Sequence, residues 1–274
     1  MNAPTLQELL EAGVHFGHKV RRGNPKMLPF IYGVRGGVHI IDLEASEKML
    51  RGAVEFAHTL GEEGKVILFV GTKKQAQPIV KELAEKVSAP YITSRWVGGL
   101  LTNFDEIKKN LNKLAGLKEQ QEKGELGMYT KKEQLLISRK LQKFDVELGG
   151  IASLESIPDA LFIVDAAAEK SAVNEANKTG VKIIGIADTN SNPALLDFPL
   201  PGNDDATKSI RIFTQAITQA YGEGKTIGGK KAAAKAKAEA KAKAQEEVKV
   251  PEGDVEQAEE LVEKVSLEES ERKV

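Results

Sequence analysis

Four aspartates and two histidines are the residues of this 274-residue chain best suited to chemistry. Asp165 and Asp188 end two apolar runs, Asp204 and Asp205 follow on a later loop, and His15 and His18 stand three apart near the N-terminus. Carboxylate oxygens with one imidazole suit a divalent cation, zinc or magnesium. If the loops converge, His18, Asp188, Asp204 and Asp205 form the ligand set. A competing reading gives the aspartates local work: Asp165 and Asp188 cap turns or helices, and Asp204 and Asp205 cap the last helix. No histidine lies in a recognisable nucleophile motif, although triads assemble in space and spacing alone does not exclude one. No catalytic residue is assigned.

Phosphate chemistry is the second candidate. FVGTKKQAQ (69–77) sets a strand, a glycine, a threonine and two lysines ahead of a helix, where anions bind. Neither G-x-x-x-x-G-K-[ST] nor G-x-G-x-x-G is present. What remains is a tight turn with solvated lysines, or Thr72, Lys73 and Lys74 touching the backbone phosphates of RNA.

The third candidate is a run without acid. Between Glu11 and Asp42 lie Lys19, Arg21, Arg22, Lys26 and Arg35, three of the four histidines, and Phe16, Phe30 and Tyr32. A folded surface normally intersperses both signs, so segregated positive charge points to an anionic partner. Arginine and lysine supply phosphate contacts, Pro25, Pro29 and the glycines keep the backbone out of helix, and the aromatics offer stacking surfaces. The alternative is a glycine-rich surface loop. SRWVGGLLTNF (94–104) carries the single tryptophan beside Arg95. Its indole reads as a core ring packing the next segment onto the domain, with RNA contact as the alternative.

The elements that must position these groups read as an alternation. VHIID (38–42), VILFV (66–70), ALFIVD (160–165) and KIIGIAD (182–188) are buried strands of a parallel sheet, with YITS (91–94) a weaker fifth. Amphipathic segments at 44–60, 73–87, 168–178 and 206–221 are helices. Strand and helix in turn predict a doubly wound α/β domain over 1–102 and 149–224, with its basic N-terminal arm. Residues 103–148 break the pattern. Ile107, Leu111 and Leu114, then Ile137, Leu141, Phe144 and Leu148, carry heptad spacing on two helices, which predicts an inserted antiparallel coiled-coil hairpin turning at 124–130. Residues 225–249 are rich in lysine and alanine and 250–274 in glutamate, a composition expected of a disordered tail.

Composition excludes other classes. With no cysteine, disulfides, thiolate zinc sites and cysteine nucleophiles are ruled out. No stretch reaches the roughly 18 apolar residues of a membrane span, and the N-terminus lacks the pattern of a secretory signal, so a cytoplasmic protein is expected.

Taken in order, GVHFGHKVRRGNPKMLPFIYGVRGGVHIIDL, FVGTKKQAQ, SRWVGGLLTNF, IPDALFIVDAAAEKSAVNEANKTGVKIIGIADTN and FPLPGNDDA closely resemble the bacterial small-subunit ribosomal protein number two family, over residues 5 to about 222. The resemblance implies a flavodoxin-like parallel sheet of about five strands with an inserted coiled-coil hairpin. It implies a structural constituent of the small ribosomal subunit that binds 16S rRNA, touches other small-subunit proteins and helps seat the large mRNA-binding protein number one. Gly23 stands where the family suggests tryptophan, and Ser191-Asn192 where cysteine and aspartate are common. The phosphate-binding residues expected are Lys19, Arg21, Arg22, Lys26 and Arg35, then Lys73, Lys74 and Arg95. The rivals are an α/β enzyme of phosphosugar-isomerase or nucleotide-binding type, which needs a ligand-sized pocket at the strand ends, and a scaffold whose hairpin is the main interface.

Overall fold

The structure, a computed structural model, describes residues 3–123 and 130–247. Contacts divide the chain into a compact unit of residues 1–228 and a second of 229–274.

The core of the first unit is a parallel sheet. Its strands β4 (Ile67–Val70), β5 (Tyr91–Ile92), β6 (Ala160–Ile163), β7 (Lys182–Ala187) and β8 (Phe198–Pro201) lie in the order β5-β4-β6-β7-β8. Both faces are covered, which is why β4 and β6 read as unbroken apolar runs. Alternate residues feed opposite layers. Ile67 and Phe69 join one cluster with Leu50, Val80 and Phe213, while Leu68 and Val70 join another with Trp96, Val173 and Ile183. Helices α2 (Leu43–Glu62), α3 (Gln77–Lys86) and α7 (Thr207–Glu247) supply the first layer, and α6 (Lys170–Thr179) supplies the second. This is the doubly wound α/β architecture expected.

Two strand assignments need correction. VHII is not in the parallel sheet. As β3 (Val38–Ile41) it is the middle strand of a separate antiparallel sheet, between β1 (Phe16–Lys19) and β2 (Ile31–Arg35). Only His39 and Ile41 of it are buried, the alternation of a one-sided strand. The fifth parallel strand is instead the proline-containing FPLP, as β8. The acid-free arm is consequently ordered, as β-strands and short 3-10 turns. Met27 fixes it, fully buried in the second cluster.

The inserted segment forms α4 (Phe104–Glu122) and α5 (Lys131–Leu148), which approach where Lys118 pairs with Asp145 at 3.3 Å. Leu111 and Leu141 are buried, whereas Leu135, Leu136 and Val146 are exposed. Thr130 and Glu133 close a capping box at the start of α5. The rest of the expected turn, 124–129, lies outside the described residues, as does 248–274 of the tail. The last helix does not stop at Tyr221 but runs on to Glu247. The glycines that suggest a break serve a crossing: a Cβ on Gly224 would lie 2.1 Å from the His58 carbonyl of α2, and one on Gly61 2.4 Å from the Tyr221 carbonyl. Small residues let the two backbones touch.

Candidate functional site

The carboxyl ends of β4, β6, β7 and β8 lead directly into Lys73, Asp165, Asp188 and Asp204. Parallel strands bring their following loops to one edge, so residues far apart in the chain meet there. His18 is delivered to the same place from β1. Its backbone N–H donates to Thr189 Oγ1 at 2.8 Å, and Asn24 N–H donates to the Thr189 carbonyl at 2.7 Å. Gly17 permits this approach, since a Cβ there would sit 2.5 Å from Thr189 Cγ2.

The resulting cluster holds charge of both signs. Lys73 Nζ lies 2.6 Å from Asp204, 2.7 Å from Asp205 and 3.2 Å from Asp165. His18 Nδ1 is 3.0 Å from Asp188 Oδ1, near enough for an ion pair but without the in-line geometry of a hydrogen bond. Its Nε2 is 3.6 Å from Asp205. One ligand atom each from His18, Asp188 and Asp204 falls within a 4.8 Å span. Asp204 Oδ2 is buried without a partner.

The electrostatics follow from crowding. Burial, with Asp165 and Asp188 close by, pushes the Asp204 carboxyl up to about 7 although Lys73 opposes this. Burial also works against the Lys73 charge, but its bonds to Asp204 and Asp205 and the field of Asp165 outweigh it and raise its value. The Asp188 carboxylate raises His18, burial opposing, while the Lys73 bond lowers Asp205.

Of the expected cation ligands, the structure brings His18, Asp188 and Asp204 together, with Asp205 at the exposed rim. Capping also holds in part: Asp165 Oδ1 accepts from Ala168 N–H at 2.8 Å. Asp204 and Asp205 do not cap α7. Asn203 Oδ1 instead accepts from Asp205 and Ala206 N–H and so closes the turn that leads into the helix.

Lys19, Arg21, Arg22, Lys26 and Arg35 are all exposed on the arm, and so are Lys74 and Arg95 in the main domain. Lys73 differs from them. Three carboxylates surround its ammonium, which takes it out of the set available to phosphate. The same pairing fills the place where a phosphate-binding enzyme would need a free lysine, and Thr72 donates its hydroxyl to the buried Glu169 instead.

Glu175 is a residue that sequence reasoning missed. Its carboxylate, on α6, accepts from Trp96 Nε1 at 3.1 Å, Gly99 N–H at 2.9 Å and Leu101 N–H at 3.1 Å, with Thr102 at the edge of reach. Trp96 is buried as expected, and this carboxylate folds the loop that carries Arg95. Burial disfavours the Glu175 charge, but these donors outweigh it and lower its value below 4.5. Glu175→Gln should remove about 1–3 kcal/mol in urea unfolding at pH 7, because the amide keeps only one acceptor oxygen and turns an NH2 toward the donors of the other. A carboxylate with a lowered folded value contributes stability above its unfolded value and loses it on acidification. The gap between wild type and variant should therefore narrow below pH 4.5, and a gap that stays constant would refute the clamp.

Comparison with known proteins then gives the context. Residues 9–224 match the family model described as Ribosomal protein S2. Among curated relatives, the small ribosomal subunit protein uS2 of Nitratiruptor sp. is 46% identical, over 93% of this chain and 98% of its own. That of Helicobacter hepaticus is 47% identical over 81% of this chain and 84% of its own, and that of Campylobacter concisus 45% over 84% and 90%. The chain therefore belongs to the ribosomal protein S2 family, whose members are structural rather than enzymatic.

Proposed function

We propose that the chain is a structural constituent of the small ribosomal subunit, binding small-subunit rRNA through its N-terminal arm. The observation that carries this is the arm itself: five cations, all exposed, two on strands of an ordered three-stranded sheet and three on the 3-10 turns that join them, with no acid between Glu11 and Asp42. Phe16 and Tyr32 are exposed among them and suit base stacking. A rigid platform presents these groups with less ordering entropy to lose than a loose loop. Co-sedimentation tests the assignment. The chain should be stoichiometric in salt-washed small subunits, and its recovery in the soluble fraction alone would reject it.

Protein neighbours are part of the same reading. An apolar groove of about 520 Å³ beside α1 (Leu6–Glu11) is lined by Leu6, Leu10, His15, Tyr32, Ile40 and Leu43, a surface suited to protein rather than phosphate. Helping to seat the large mRNA-binding protein number one fits this role. Subunits depleted of the chain should then lose that protein too, and its full retention would exclude the role.

The buried cluster favours a second reading, in which His18, Asp188 and Asp204, with Asp205 at the rim, hold zinc or magnesium. The lone Asp204 Oδ2 is the observation behind it, and Lys73 is the internal competitor. Calorimetric titration of the chain with zinc should show one ion per chain, weakening as acid protonates His18, and no uptake in His18→Ala. Silence up to millimolar zinc would remove the metal.

A further inference from the structure

We propose that residues 230–245 form a second RNA-binding element, a lysine and alanine helix that adds to the arm. They belong to α7, which continues past Gly228 to Glu247, and they follow the last residue of the family match, 224. Between Ile227 and Val248 there is no branched, sulfur-containing or aromatic side chain. A helix of this composition has no apolar stripe with which to dock on protein. Alanine and lysine are both strong helix formers, so helix is maintained without a core.

Charge selects the partner. Lys230, Lys231, Lys235, Lys237, Lys241 and Lys243 face a single acid, Glu239, in this stretch. Thirteen helical steps separate the first lysine from the last, about 20 Å, a length that spans several nucleotides of one strand. Lysines act as point charges on a polyanion: they displace counterions and demand no sequence. In a chain of this family that polyanion is ribosomal RNA. The inference rests on the rRNA-binding reading for that identity, but it concerns a different part of the chain. The chain's own acidic segment, with eight glutamates and Asp254 between 252 and 271, is the rival counter-charge.

The test uses the full-length protein with all six lysines changed to glutamine, and a companion with all six changed to arginine. Glutamine keeps helix propensity near that of lysine, and circular dichroism confirms that the fold is retained. Binding to labelled small-subunit rRNA is measured from 0.05 to 0.3 M salt. The glutamine variant should bind at least about tenfold more weakly at 0.15 M, with a log–log salt slope shallower by about 4, and the arginine variant should match wild type. An unchanged slope and affinity would overturn the proposal. So would tighter binding, which would mean that the lysines serve only the acidic segment. Arg21→Ala with Arg22→Ala is run alongside: loss there without loss in the glutamine variant leaves the arm standing and the helix refuted, and the reverse pattern refutes the arm alone.

Discussion

Replacing Lys73 by methionine is expected to remove about 3–5 kcal/mol of stability, the magnitude typical when one partner of a buried ion pair is deleted. Methionine keeps much of the apolar stem, so the loss is chiefly electrostatic. It would leave Asp204 fully buried, and Asp165 nearly so, beside Asp188 with no lysine among them. Urea unfolding at pH 7.5 measures the effect, and adding Asp204→Asn should restore part of it because the two changes share one interaction. The penalty should also depend on pH. The Asp204 carboxyl, raised to about 7, keeps a proton that the unfolded chain has released above 3.8. Its contribution therefore fades as pH rises through about 7, and without Lys73 the variant's deficit should be larger at pH 8 than at pH 5.5. A loss below about 1 kcal/mol would mean that the lysine is as dispensable as a surface cation.

Affinity for small-subunit rRNA should fall about tenfold to a hundredfold at 0.15 M salt when Arg21 and Arg22 are both changed to alanine, with the salt slope shallower by about 2. The two arginines stand in consecutive positions of an exposed 3-10 turn after β1, and neither is in an ion pair among the described residues. Their removal disturbs no core, so thermal unfolding should stay within about 1 °C while binding drops, because surface changes away from packed features cost little. Filter binding across a salt series separates this from a change in base preference. Equal affinity at every salt concentration, or unchanged occupancy in purified subunits, would mean that other cations hold the chain.

The parallel sheet was legible because its strands are buried on both faces. VILFV and ALFIVD admit no other economical reading, and of the cation candidates Asp188 is legible as a strand end, Asp204 as an acid on a later loop and His18 as one of two histidines near the N-terminus. Three things were not legible, each for a physical reason. VHII has the β-branched content of a buried strand, and a four-residue run does not reveal which sheet it joins. FPLP carries no strand signal of its own, because proline demotes one. Gly224 and Gly228 have poor helix propensity, although in the structure they mark the line where α7 crosses α2. Lys73 shows the limit for the site. Its neighbours in sequence are Thr72 and Lys74, and nothing local reports the three aspartates that topology brings to it.

The same prolines have a consequence for the chain before it reaches a ribosome. An open sheet has two borders, and unpaired backbone there invites another copy to add a strand. Here one border, β5, is only two residues long, and the other, β8, has proline at two of its four positions. Proline offers no N–H to a newcomer, and a two-residue strip gives it too little to grip. A freshly made copy awaiting assembly is thereby protected from growing into fibrils, without a single charged residue being placed on either border strand.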